Sequence, residues 1–428
     1  MTRSQVVATY LIESFLPLER AAEVLAGEQS TGTFVRVERE TDELRARFGA
    51  TVLDVTPLPP SGLPPLPGTT ATGVDATLAP TDGADVASTR RGRVRIAFPL
   101  GNFGPSLPNL LAAVAGNLFE LRELAAVKLV DLDLPAEFAD RYPGPRFGVS
   151  GTRELTARRD GVLIGTIIKP SIGLPLDELA VVVRELALAG IDFIKDDELT
   201  ANPPHAPLAD RVTVVMRELK RAADQTGRMP MYAFNITDDI DRLATNHDLV
   251  AAAGGNCVMA CVNLIGLAGL AYLREHAALP IHGHRAMFGA MSRSPQLGIG
   301  FTAFQKLARL AGADHLHTNG LHNKFYETDD EVLAAIAAVR EPLLGGYQTL
   351  PVLSSRQWAG LAPETYRRAG TTDLLVLAGG GIHGHPGGAA AGVASMREGW
   401  DCAVSGTSLA ERAKTSEPLR QALEMFGA

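Results

Sequence analysis

The chain has 428 residues, 46% of them apolar and 21% charged, with a formal net charge of −8. That length suits two domains better than one, and an acidic balance without a Lys/Arg run excludes a basic nucleic-acid-binding surface. No apolar run is long enough to span a membrane, and the start, MTRSQVVATY, has no signal-peptide core. Cys257, Cys261 and Cys402 make no CxxC and no paired framework, which predicts buried free thiols and a cytoplasmic location.

The first part reads as α+β. VVATYLIES alternates as a strand and LERAAEVLAGEQ has helical spacing. TFVRVERE and ATVLDV read as strands, RRGRVRIAFPL as another, and SLPNLLAAVAGNLFELREL as a helix. Thr56 to Asp82, rich in Pro, Gly and Thr, reads as a long loop inside this domain. The pattern predicts a ferredoxin-like N-terminal domain over residues 1–146.

From Gly161 the rhythm is regular. The apolar runs VLIGTIIKP, DFIKDDE, PMYAFNIT, NCVMACVNLIG, LPIHGHRAM, ADHLHT, TLPVLSS and DLLVLAGGG are each followed by a helical pattern. An open doubly wound sheet is the alternative, but eight successive units favour a closed (β/α)8 TIM barrel, with a C-terminal helical tail, over residues 147–428.

A barrel gathers its reactive groups at the C-terminal ends of its strands. Those ends carry Lys169, then Lys195 with Asp197 and Glu198, then Asn235 and Asn263. His282, His284 and Arg285 follow, then His315, His317 and Lys324, then Ser354 and Ser355, then Gly379, Gly380 and Gly381. Lys195-Asp196-Asp197-Glu198 is the densest signal, and on a strand Lys195 and Asp197 share one face. It reads either as a lysine paired with two acids or as an oxygen-rich site for Mg²⁺, with Lys195 a ligand only after CO₂ converts it to a carbamate. Arg285 could hold a phosphate with its planar fork. The glycine run Leu377–Gly388 stands where barrels commonly cradle phosphate on backbone N–H groups.

Taken together, GTIIKP, GIDFIKDDE, HGHRAM, DHLHT and LAGGGIHGHPGG resemble the motifs of the RuBisCO superfamily, in the family's order. In the N-terminal part GEQSTGTFVRV resembles the stretch that supplies Glu28 and Thr33 to the active site, and AGNLF the stretch that supplies Asn117. The resemblance implies a homodimer with active sites at the subunit interface, completed by those N-terminal residues of the partner. It implies Mg²⁺ held by carbamylated Lys195, Asp197 and Glu198. Lys169 would be an acid/base group, and His284 would hydrogen-bond substrate hydroxyls. Arg285, His317 and Ser354 would form one anion pocket. Thr33, Gly379, Gly380 and Lys324, the last on a mobile loop, would form the other.

The departures point away from carboxylation. Ser171 replaces the second lysine of KPK, Phe288 the histidine closing HRAMH, and Phe34 a tryptophan; NGLHNKFYE is unlike the carboxylase loop, and Ser354-Ser355-Arg356 replaces Ser-Gly-Gly. What the resemblance leaves is a RuBisCO-like protein with enolising machinery acting on a small phosphorylated substrate. Retention of Lys169 and Lys324, with the extra cation Arg356, favours a keto-sugar acid, specifically decarboxylation or carboxyl transfer and hydrolysis of 3-oxo-isoapionate 4-phosphate. The alternatives are an enolase or isomerase for a methylthio-pentulose phosphate, a non-catalytic regulatory relative, and a Schiff-base lyase or aldolase.

Overall fold

The computed structural model describes residues 4–32, 37–70 and 88–427. It separates into two compact units, Met1–Tyr142 with Met287–Leu307, and Pro143–Ala286 with Ala308–Ala428. The first unit therefore includes a stretch from late in the chain.

In the first unit β1 (Gln5–Ser14), β2 (Thr51–Leu58), β3 (Arg90–Pro99) and β4 (Ala126–Asp133) form a sheet with β10 (Leu297–Ile299), in the order β10-β4-β1-β3-β2. All pairings are antiparallel except β10 with β4. Alternate residues of β1, Val6, Ala8, Tyr10 and Ile12, are fully buried, as are Val94, Ile96 and Phe98 opposite them on β3. The helices Leu18–Glu28 and Leu107–Ala115 add Leu25, Leu110 and Val114 to this core. The Tyr10 hydroxyl donates to the Val114 carbonyl at 2.7 Å, tying strand to helix.

Two local expectations change. Residues 33–36 of the expected strand TFVRVERE lie outside the described residues, Thr33 and Phe34 among them, and Val37–Glu40 form a turn instead. The long helix expected from Ser106 ends at Ala115, and a short 3-10 turn, Asn117–Glu120, leads into β4, which the sequence pattern had hidden.

The second unit is a closed parallel barrel. Its strands are β5 (Leu163–Ile167), β6 (Phe193–Lys195), β7 (Met231–Asn235), β8 (Cys257–Cys261), β9 (Ile281–His284), β11 (His315–His317), β12 (Leu350–Leu353) and β13 (Leu375–Leu377). All eight expected strand segments are present. Leu163, Phe193, Met231, Cys257, Met259, Leu350, Val352 and Leu377 fill the core as one buried cluster. At the strand starts, Asp192 accepts from the Ile164 N–H at 2.8 Å and pairs with Arg397 at 2.5 Å and with Arg228. The tail forms the helices Leu409–Ala413 and Glu417–Phe426. Among the described residues no helix is long and apolar enough to cross a membrane.

Gly165 shows how closely β5 is approached. A Cβ there would sit 2.6 Å from Leu377 Cδ2 and 2.9 Å from the Phe193 carbonyl oxygen. The carbonyl belongs to the β5–β6 ladder and cannot retreat. Gly165→Ala is expected to destabilise the barrel by about 1–3 kcal/mol, read as a lower urea midpoint with an unchanged slope.

Candidate active site

Strand β6 ends at Lys195, and the following turn carries three acids, of which Asp197 and Glu198 reach its mouth. Asp196, 2% exposed, faces the barrel wall. It accepts from Arg211 Nη2 at 3.0 Å, the Tyr232 hydroxyl at 2.7 Å and the Asn235 N–H at 2.9 Å. Arg211 lies on the buried stripe of helix Leu208–Thr226, and also donates to the Ala201 and Ala206 carbonyls at 2.7 Å. With Asp196 turned outward, its neighbour Lys195 turns in and is 1% exposed.

Lys195 Nζ lies 2.8 Å from the Asp196 carbonyl and 3.4 Å from Glu198 Oε2. Asp197 Oδ2 accepts from Lys169 Nζ at 2.7 Å, and the same Nζ donates to Ser171 Oγ at 2.7 Å. Asn235 Nδ2 donates to the carbonyls of Asp197 and Glu198, at 3.1 and 3.3 Å. Burial pushes the Glu198 carboxyl up, but Lys195, His284, a backbone N–H and Lys169 outweigh it and hold the group at about 2. The carboxylate is therefore ionised at neutral pH.

His284 Nε2 is 3.6 Å from Glu198 Oε2. The Ala286 N–H donates to its Nδ1 at 3.1 Å, so the ring proton sits on Nε2, facing Glu198. Burial and Lys195 keep this imidazole neutral, with its pKa at about 3. The His317 ring lies against it, with centroids 4.5 Å apart, and His317 Nδ1 is 3.1 Å from Ser354 Oγ. A Cβ on Gly379 would stand 3.7 Å from Lys169 Cε, while one on Gly380 would meet nothing within 4 Å, so the glycine run borders open space beside Lys169.

Lys169, Lys195, Asp197, Glu198, His284, His317, Ser354 and Gly379 thus meet at one end of the barrel. Other expected residues stand apart. Arg285 Nη1 pairs with Glu327 Oε1 at 2.9 Å, its Nη2 bonds the other carboxylate oxygen, and Asn319 also donates to Glu327. Lys324 is exposed, with Nζ over the Phe325 ring at 5.4 Å, and its N–H donates to Ser355 Oγ. Arg356 is exposed and left-handed, with φ 57°. In the first unit Glu28 ends its helix and Asn117 begins the 3-10 turn, both exposed. With its amide oxygen and nitrogen assigned from the surrounding donors and acceptors, Gln29 between them donates to the Ala112 and Ala113 carbonyls and accepts from the Asn117 N–H. Thr33 lies outside the described residues.

The family models of the ribulose bisphosphate carboxylase large chain match residues 148–426 with the catalytic domain, and 1–62 and 67–138 with the N-terminal domain. The chain belongs to the RuBisCO large-chain family. Within it, a 3-oxo-isoapionate-4-phosphate transcarboxylase/hydrolase from Xanthobacter autotrophicus is 48% identical over 98% of both chains. A 3-oxo-isoapionate-4-phosphate decarboxylase from Rhizobium etli is 40% identical over 98% of both. These relatives are named as enzymes and not as carboxylases of ribulose bisphosphate. A rubisco-like protein from Burkholderia fungorum superposes with a TM-score of 0.89 at 44% identity, covering 99% of this chain and 100% of its own. The octameric ribulose-1,5-bisphosphate carboxylase/oxygenase of Pyrococcus horikoshii gives 0.86 at 31%, covering 100% and 94%.

Sequence reasoning named Asp196 without giving it a role, and passed over Arg211 and Tyr232. Arg211 was detectable, because it falls on the apolar stripe of its own helix, between Leu208 and Val215. Arg211→Met would leave Asp196 buried without its cation and cost about 3–5 kcal/mol, measured by equilibrium urea unfolding.

His315 provides a pH test. Burial lowers its pKa from 6.5 to about 3, so the folded chain refuses a proton that the unfolded chain accepts. The shift costs the fold nothing above pH 6.5 and destabilises it progressively as pH falls from 6.5 toward 3. An NMR titration should show no inflection for this ring between pH 8 and 5.

Proposed function

We propose that this chain removes the carboxyl group of 3-oxo-isoapionate 4-phosphate, through an enediolate, by carboxyl transfer and hydrolysis. The observation that carries the reading is the meeting of Lys195, Asp197, Glu198 and Lys169 at the β6 mouth. The 48%-identical relative named for this substrate supports it, and the 40%-identical decarboxylase supports the same substrate with simple release of CO₂.

The donor set fits Mg²⁺. Lys169 and Lys195 balance Asp197 and Glu198 in charge. Conversion of Lys195 to a carbamate leaves one cation against three anions, a net of −2 that a divalent metal neutralises. Carbamylated Lys195, Asp197 and Glu198 would hold the ion through oxygen. Bound there, Mg²⁺ would polarise the keto oxygen of the substrate and lower the barrier to the enediolate.

The chain's own groups do the rest. Cleavage of the bond between the carboxyl carbon and its neighbour releases CO₂ and leaves an electron pair that the keto group receives as an enediolate. The former keto carbon then takes up that CO₂, and water attacks the new neighbouring ketone and cleaves the bond between the two carbons, leaving its electron pair on the newly carboxylated carbon. Lys169 Nζ, hydrogen-bonded to Asp197 and Ser171, returns a proton to that carbon. His284, with its Nε2 proton fixed, donates to a substrate oxygen. The backbone at Gly379 and Gly380, with Lys324 carried on its loop, receives one anionic group. Glu28, Thr33 and Asn117 complete the site of a partner subunit, which makes the working unit a homodimer, in the cytoplasm.

Purified protein supplied with Mg²⁺, bicarbonate and 3-oxo-isoapionate 4-phosphate should turn the substrate over, followed by ¹³C NMR of the carboxyl carbon. Turnover of a methylthio-pentulose phosphate instead would sink the reading. Lys195→Met should reduce kcat by about 10²–10³-fold or more. Chemical trapping of ¹³CO₂ on Lys195, lost in the same variant, checks the carbamate without relying on activity.

A further inference from the structure

Three histidine rings run through the barrel interior from its mouth. His317 Nδ1 faces Ser354 Oγ at 3.1 Å, and its Nε2 lies 2.8 Å from His282 Nε2. His282 Nδ1 is 3.3 Å from His315 Nδ1, and His315 Nε2 is 2.7 Å from Thr152 Oγ1. The Phe193 ring packs against both His282 and His315. Burial holds all three imidazoles below the usual histidine range, so each is neutral and carries one proton. Every nitrogen-to-nitrogen contact needs one N–H. Only two proton arrangements satisfy the whole row, and they run in opposite directions.

Thr152 decides between them. Its hydroxyl has one proton and donates it to the Gly148 carbonyl one helical turn back, at 2.5 Å. A carbonyl cannot donate, so Thr152 Oγ1 offers His315 a lone pair only. His315 is then protonated at Nε2 and accepts at Nδ1. His282 is protonated at Nδ1 and accepts at Nε2. His317 is protonated at Nε2, and its Nδ1 takes the proton of Ser354. The row ends blind at a carbonyl, so it fixes orientation and conducts no proton onward.

We infer that Thr152 is a positioning residue that sets the tautomers of His315, His282 and His317, and so presents the Ser354–His317 corner to the ligand as a hydrogen-bond acceptor. One proton serves both Ser354 Oγ and His317 Nδ1. A bare anion leaves one of those lone pairs unmet, whereas a carbon-bound hydroxyl donates to it. The corner therefore selects a hydroxylated carbon of the substrate, in place of the anion that the family resemblance implied for His317 and Ser354. His284, beside it, supplies the matching donor. The ligand half of this inference rests on the functional reading above; the tautomer half does not.

Neutron diffraction from crystals of the perdeuterated protein reads each ring directly. The expected result is deuterium on His282 Nδ1, His315 Nε2 and His317 Nε2 in the wild type and in Thr152→Ser. In Thr152→Val the His315 Nε2–H has no acceptor, and the reversed arrangement, with deuterium on His317 Nδ1, should appear in about a tenth of the molecules or more. Any other wild-type pattern, or a valine variant unchanged at His317, overturns the proposal. In kinetics with 3-oxo-isoapionate 4-phosphate, the valine variant should raise KM about tenfold over the serine variant, as loss of one ligand hydrogen bond would, and equal KM values overturn the ligand half. A wild type that turns over nothing sinks the functional reading alone, because the deuterium positions still decide this one.

Discussion

The site depends on where one buried carboxylate points. Asp196 is held against the barrel wall by a guanidinium, a phenol and a backbone N–H. Burying such a pair seldom stabilises a protein by itself, since desolvation offsets most of the attraction. Its effect is geometric. Adjacent side chains leave a strand on opposite faces, so fixing Asp196 outward fixes Lys195 inward, and Asp197 and Glu198 follow at the mouth. Arg211 also gathers the carbonyls of Ala201 and Ala206, so one guanidinium orders both the strand end and the segment that covers it.

Around that point the site is divided by hydrogen-bonding sense. His284 is made a donor by the Ala286 N–H, while His317 lies next to it with its Nδ1 turned to Ser354. Lys169 is shared between Asp197 and Ser171. A substrate that must become an enediolate carries oxygens that gain charge and hydroxyls that do not, and a mouth with both senses at adjacent positions can tell them apart. The low dielectric of the packed lumen below makes each such contact stronger than it would be in water.

The barrel was legible because each of its eight strands is an apolar run closed by a polar residue and followed by a helical stripe. The N-terminal sheet was less so. LRELAAVKLVDLD has no Gly or Pro to separate helix from strand, and β4, which directly follows the expected helix, was not read as a strand. β10 is three residues long and exists by pairing with β4, more than 160 positions earlier, which no local pattern records. Spacing placed Lys195 and Asp197 together. It could not place Thr152, whose hydroxyl follows its own helix backbone and meets His315 only in the folded chain.

Arg285 arrives at the barrel rim with its guanidinium fork already filled by Glu327, and Asn319 holds that carboxylate from another side. Glu327 closes the loop that carries Lys324. Both ends of the Arg285 fork are thus met by one carboxylate of the same chain, so any anion reaching that guanidinium would have to exchange with Glu327. The rim cation and the end of the loop share a single ion pair.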